Sequence, residues 1–174
     1  MNLSIPCQLV RLHQWSDNDD GTPGSAPARV TPEGTMQMRF MLFMIPNIEE
    51  VEWMPDPEAV AAMTAYNEEL TKAGVLLSLD GLHPTSKGAR ISGGGGKVTV
   101  TDGPFTEAKE IIGGYWLIDV ASKDEAIEWA RRCPAIQGPA SIPDYRGPVP
   151  VIEIRQVFEM SDFPEEVRRA AGQD

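Results

Sequence analysis

Two segments of this chain are apolar on both sides of a two-residue repeat: Met38 to Ile45 (MRFMLFMI) and Tyr115 to Val120 (YWLIDV). Side chains of a strand alternate between faces, so such segments need packing material above and below them. They dictate a sheet covered by layers on both sides. Between them, Asp56-Pro57-Glu58 has the marks of a helix start: an N-cap acid, proline at the first helical position, and an acid near the positive dipole end. Val60, Met63, Tyr66, Leu70 and Ala73 recur every three or four positions, and Gly74 is a natural stop. Val75 to Leu82 is the next strand. Ala89–Ser92 and Lys97–Thr101 flank Gly93–Gly96 and predict a hairpin. After YWLIDV, Ser122-Lys123-Asp124-Glu125 forms a capping box for a second helix, carrying Ala126, Ile127, Ala130 and Cys133 and closed by Pro134. Val151 to Phe158 is the last strand.

The order is β-α-β, hairpin, β-α-β. A split βαβ repeat of this kind gives an antiparallel sheet with both helices on one face, so the expected class is α+β, ferredoxin-like with an inserted β-hairpin. The second face then lacks cover. Its apolar strands call for the same face of a second subunit, which predicts a homodimer.

The rest of the chain bounds the domain. Residues 17–35 hold three Gly, three Pro and almost no large apolar side chain, too little to offset their ordering entropy. Residues 1–36 are therefore read as a flexible N-terminal extension, 37–160 as the domain and 161–174 as a C-terminal tail with a short helix.

Charge and composition exclude several roles. The chain has 26 acidic and 15 basic residues, a net charge of −11, and no Lys/Arg cluster beyond Arg131–Arg132 and Arg168–Arg169. Binders of nucleic acid display a basic stripe, so direct nucleic-acid contact is not expected. Cys7 and Cys133 make neither a disulfide framework nor a metal motif, and His13 and His83 are the only histidines. Neither metal nor cofactor is implied. No run approaches the roughly 18 apolar residues of a membrane helix, and Pro6, Gln8 and Arg11 interrupt any signal-like core. A cytoplasmic protein with reduced thiols is expected.

At Thr101-Asp102-Gly103-Pro104-Phe105, followed by Glu107, Lys109 and Glu110, the chain resembles the DGPF branch of the YCII-related family. Other motifs follow in the family's order: Gly81-Leu82-His83-Pro84, Gly113-Gly114-Tyr115-Trp116, Asp124-Glu125-Ala126-Ile127-Glu128-Trp129-Ala130 and Ile152-Glu153-Ile154-Arg155-Gln156-Val157. The resemblance covers about Met38 to Asp162. It implies a dimeric α/β-barrel variant of the ferredoxin-like fold, and an association of such proteins with sigma-factor pathways that does not entail DNA contact. Shorter members carry a His on the first helix and an Asp-Pro after the second. Met63 and Cys133-Pro134 occupy those positions here, so that proton chemistry does not transfer.

The leading candidates for chemistry are His83 and Asp102. Histidine exchanges protons near neutrality, and a neighbouring carboxylate fixes its tautomer. Each ends a strand, so both are expected at one rim of the sheet. Asp102 in Asp-Gly-Pro equally suits a turn, the commoner role, and His83 before Pro84 equally suits a strand end. Glu107, Lys109 and Glu110 are candidates for polar ligand contact, or a solvated charged loop. Phe105 and Tyr115 are candidate pocket walls, or interface aromatics. Arg90 is a candidate anion contact, or an exposed strand arginine. Gly93–Lys97 lacks the phosphate-loop spacing, since Val98 follows Lys97. Cys133 at a helix C-terminus is a poor nucleophile.

Two functional readings follow. One is a small-molecule binder or enzyme with acid–base chemistry of the lyase or isomerase type on His83 and Asp102, its pocket between sheet and helices. The other is a non-catalytic dimeric sensor or protein-interaction module, linked to a sigma-factor pathway.

Overall fold

The computed structural model describes residues 34, 36–48, 55–105, 111–137 and 149–172. The N-terminal extension up to residue 33, Cys7, His13, and the cluster Glu107, Lys109 and Glu110 lie outside the described residues. Residues 34–158 belong to one unit, and 159–172 belong to another that is described by itself.

Within the larger unit the elements run β1 (Met38–Ile45), α1 (Pro57–Lys72), β2 (Leu76–Gly81), β3 (Ala89–Gly94), β4 (Lys97–Asp102), β5 (Gly114–Val120), α2 (Lys123–Arg131) and β6 (Val151–Gln156). This is the predicted order. Four strands form one antiparallel sheet in the order β2-β5-β1-β6, and β3 and β4 form a separate two-stranded sheet. The architecture is α+β and consistent with a ferredoxin-like fold.

Register decides which side chains share a face. Phe40 stands opposite Ile118, and Leu42 lies between Trp116 on β5 and Ile154 on β6. Phe40, Leu42, Trp116, Ile118 and Val120 are buried under the helices with Tyr66, Leu70, Ala126, Ala130 and Cys133. Each large apolar side chain buried this way contributes about 1.5–3 kcal/mol. Polar anchors fix the helices above them. The Tyr66 ring meets Trp116 edge-on at 5.9 Å, its hydroxyl donates to the Trp129 carbonyl at 2.9 Å, and the Trp116 indole N–H donates to Asn67 Oδ1 at 2.8 Å. Both helices thus lock onto the same side of the sheet.

The opposite face carries Arg39, Met41, Phe43 and Ile45 of β1 and Tyr115, Leu117 and Asp119 of β5. Neither α1 nor α2 packs on it. On β6 the same face carries Val151, 53% exposed, with Glu153 and Arg155 opposite Phe43 and Met41.

The helix ends follow the sequence signals. Asp56 Oδ1 accepts from the Ala59 N–H at 2.7 Å, with Pro57 next in line. At the other end the Gly74 N–H donates to Thr71 and the Val75 N–H to Leu70, with Gly74 at φ +73°. That is the Schellman pair. For α2, Ser122 Oγ accepts from the Glu125 N–H at 3.1 Å, but Glu125 Oε2 accepts from Ala121, one residue before the cap. The Glu125 carboxylate thus reaches past the cap residue, and the reciprocal bond to Ser122 is not made.

The hairpin is longer than its glycine run suggested. Gly93 and Gly94 pair with Val98 and Lys97, so the turn is Gly95-Gly96 alone, with φ +58° and +79°. Two consecutive positive φ values are the two-residue geometry that matches strand twist, and glycine adopts it without strain. Ile91, Val98 and Val100 share one hairpin face and are 73%, 74% and 61% exposed. In the smaller unit, α3 (Glu165–Ala170) realises the expected tail helix, with Arg169 paired to Glu165 at 2.7 Å.

Candidate functional site

The chemistry-bearing residues converge where the chain leaves β2 and enters the hairpin. Leu82 continues the ladder of β2, its N–H donating to the Gly113 carbonyl at 2.8 Å, while the Gly113 N–H donates to Met44 at 2.8 Å. These bonds hold Leu82 beside the Ile111–Gly113 segment at the end of the main sheet. His83 and Pro84 follow, and Thr85–Lys87 form one 3-10 turn.

The Asp102-Gly103-Pro104-Phe105 segment is laced to that turn. The Gly103 N–H donates to the Gly88 carbonyl at 3.0 Å, and the Phe105 N–H donates to Thr85 Oγ1 at 2.9 Å. The Gly103–Pro104 peptide is cis. Gly103 runs so close to the turn that a Cβ there would lie 1.8 Å from the Thr85 carbonyl oxygen. Only glycine fits this backbone crossing. Phe105 is thereby delivered under Arg90, whose guanidinium carbon sits 4.2 Å from the ring centroid.

The result is an open hollow of about 350 Å³, at the lower end of the range of roughly 300–1,000 Å³ for small-molecule sites. Leu82, Ile111, Ile112 and Phe105 supply apolar walls, and His83, Lys87 and Arg90 supply the basic groups. No aspartate or glutamate is among its described lining residues. None of the lining residues comes from α1 or α2, so the hollow lies beside the hairpin base and not between sheet and helices.

The structure therefore brings together His83, Arg90 and Phe105 of the sequence candidates. Asp102 closes β4, opposite Ala89, and does not line the hollow. Among the described residues no hydrogen bond or ion pair joins His83 to Asp102. Tyr115 lies on the sheet face away from α1 and α2, its hydroxyl hydrogen-bonded to Asp80 Oδ2 at 3.1 Å. Sequence reasoning missed Lys87, Leu82, Ile111 and Ile112. Their only signal was closeness in the chain to His83, Arg90 and Phe105.

Elsewhere, burial pushes the Tyr66 phenol well above its ordinary range and raises the Cys133 thiol to about 11. Cys133 is therefore a protonated core residue at neutrality. Among the described residues no cluster of three or more His, Cys, Asp or Glu is placed to hold a metal. No described helix is long and apolar enough to cross a membrane.

These features define a class: an α+β domain with two helices on one sheet face and an inserted hairpin whose base frames a cationic hollow. Residues 38–146 match the YCII-related domain, more than half of the chain, and the protein belongs to that family. A stretch of 76 residues is 38% identical to an uncharacterised protein of Rhizobium meliloti (strain 1021). The match covers 44% of this chain and 61% of that relative, so it spans about three-fifths of the relative's length.

Proposed function

We propose that this chain is a dimeric small-molecule-binding member of the YCII-related family, with its ligand seated in the hollow beside His83. The observation that carries the reading is the convergence of His83, Lys87, Arg90 and Phe105 with aliphatic walls on one concave surface. Apolar lining with a few convergent polar groups is the usual make-up of a ligand site. Acid–base chemistry on a His83–Asp102 pair has less support, because no contact couples the two groups and the carboxylate is off the hollow. A ligand-observed NMR screen of small metabolites on the full chain tests the reading. Ala89→Phe should fill the hollow and abolish binding, while Asp102→Asn should leave it intact. A ligand whose binding survives Ala89→Phe would place the site elsewhere.

The dimer is proposed through the sheet face away from α1 and α2, as in an α/β barrel made from two sheets. Met41, Phe43 and Leu117 at its centre support this, since burying them against their own copies removes an apolar surface from water. The competing reading, a non-catalytic interaction module in a sigma-factor pathway, draws on the exposed apolar hairpin face. A metabolite screen without hits, together with a stoichiometric protein partner lost on Val98→Ser, would favour it.

A further inference from the structure

We infer that the hollow selects a small monocarboxylate with an apolar body, an inference that rests on the ligand site proposed above. The charge of the site runs against the charge of the chain. In a protein with 26 acidic residues and 15 Lys or Arg, the hollow's described lining residues include Lys87, Arg90 and His83 and no acidic side chain. Elsewhere among the described residues five basic side chains are paired, while Lys97, Lys123 and Arg168 are not. Lys72, Arg131, Arg132, Arg155 and Arg169 each face a glutamate. Lys87 and Arg90 face none among the described residues.

Arg90 is nevertheless held in place. Its guanidinium rests over the Phe105 ring at 4.2 Å, and Phe105 is pinned through its own N–H to Thr85. A cation–π contact orients the guanidinium without satisfying its N–H donors or cancelling its charge. A planar, oriented fork of donors matches a carboxylate in bidentate fashion. Lys87 adds a second positive charge at the turn preceding β3.

The walls decide what the carboxylate is attached to. Leu82, Ile111 and Ile112 offer aliphatic surface, and Ile111 is only 5% exposed. Apolar surface of this kind is complementary to a ring or a branched chain and gives nothing to a sugar or a polyphosphate. The volume limits that body to a single ring or a short chain. Benzoate, phenylacetate and 3-methylbutanoate are suitable probes.

The test is isothermal titration of the full chain at low salt with benzoate, phenylacetate and 3-methylbutanoate, against their neutral amides, benzylamine and phenyl phosphate. Saturable binding of an acid is expected, with its amide weaker by roughly tenfold or more, since a hydrogen bond to a charged group is worth about 1.5–3 kcal/mol. Arg90→Gln should weaken the acid by roughly tenfold and leave the amide unchanged, and Lys87→Gln should act in the same direction. Both side chains are exposed, so thermal melts should confirm that the variants remain folded. Equal binding of acid and amide, or an unchanged affinity in both variants, would overturn the carboxylate assignment while leaving the hollow a ligand site. Preference for phenyl phosphate or benzylamine would overturn it too. If no member of the panel binds and the metabolite screen is also blank, the hollow itself fails as a site.

Discussion

A methyl group at position 103 would press into the Thr85 carbonyl, an atom of rigid backbone that cannot rotate aside. Gly103→Ala is therefore expected to cost about 2–3 kcal/mol in urea unfolding, the upper range for overpacking. It should also loosen Phe105 and weaken any ligand of the hollow. A different residue sets a pH limit. Burial raises the Cys133 thiol from 9.0 to about 11, so the folded state holds that proton more tightly than the unfolded chain does. The resulting stability is fully present below pH 9.0 and is lost as the pH rises to about 11. Unfolding curves at those two ends should differ by about 2–3 kcal/mol from this group, with Tyr66 adding to the same trend from its ordinary value of 10.0 upward. Cys133→Ala should narrow the difference; an unchanged difference would show that the thiol is not its source.

At the scale of elements, the central strand and the hairpin respond oppositely to mutation. Leu42 on β1 is fully buried between β5, β6 and the helices, and Leu42→Ala should cost about 2–5 kcal/mol. Val98 and Val100 on the hairpin are largely solvent-exposed, and Val98→Thr should stay within about 0.5 kcal/mol of the parent. Chemical denaturation of the two variants checks the contrast. These elements were also the most legible part of the sequence. The caps at Asp56 and Ser122 and the stop at Gly74 are local rules, written within a few residues, and each appears where the sequence placed it, although the Glu125 carboxylate of the expected box binds Ala121 and not Ser122. The hairpin turn was set one pair of residues too wide, because a run of four glycines does not reveal which two bear the positive φ values.

At the scale of the whole molecule, the sheet face away from α1 and α2 predicts assembly. Sedimentation velocity should give a dimer, and Phe43→Glu should shift it to a monomer while the circular dichroism of the fold persists, because Phe43 faces away from the helical core. A parent that sediments as a single subunit at micromolar concentration would end that proposal. The candidate site belongs to this scale too. Its residues come from the end of β2, the 3-10 turn, the start of β3, the segment after β4 and the lead-in to β5. Arg90 and Phe105 lie fifteen positions apart and meet because the hairpin sets Arg90 opposite Thr101 and Gly103 then passes against Thr85.

The sequence alone determined what depends on near neighbours and alternation: the order of elements, their caps, the two-faced apolar strands and the family they indicate. Tertiary structure alone decided which candidates share a surface. It grouped His83 with Lys87, Arg90 and Phe105, left Asp102 at the hairpin base and sent Tyr115 to the other sheet face. The physical reason is that a hollow is made by non-local backbone contacts, and a single crossing at Gly103, invisible to any short-range rule, fixes which side chains converge.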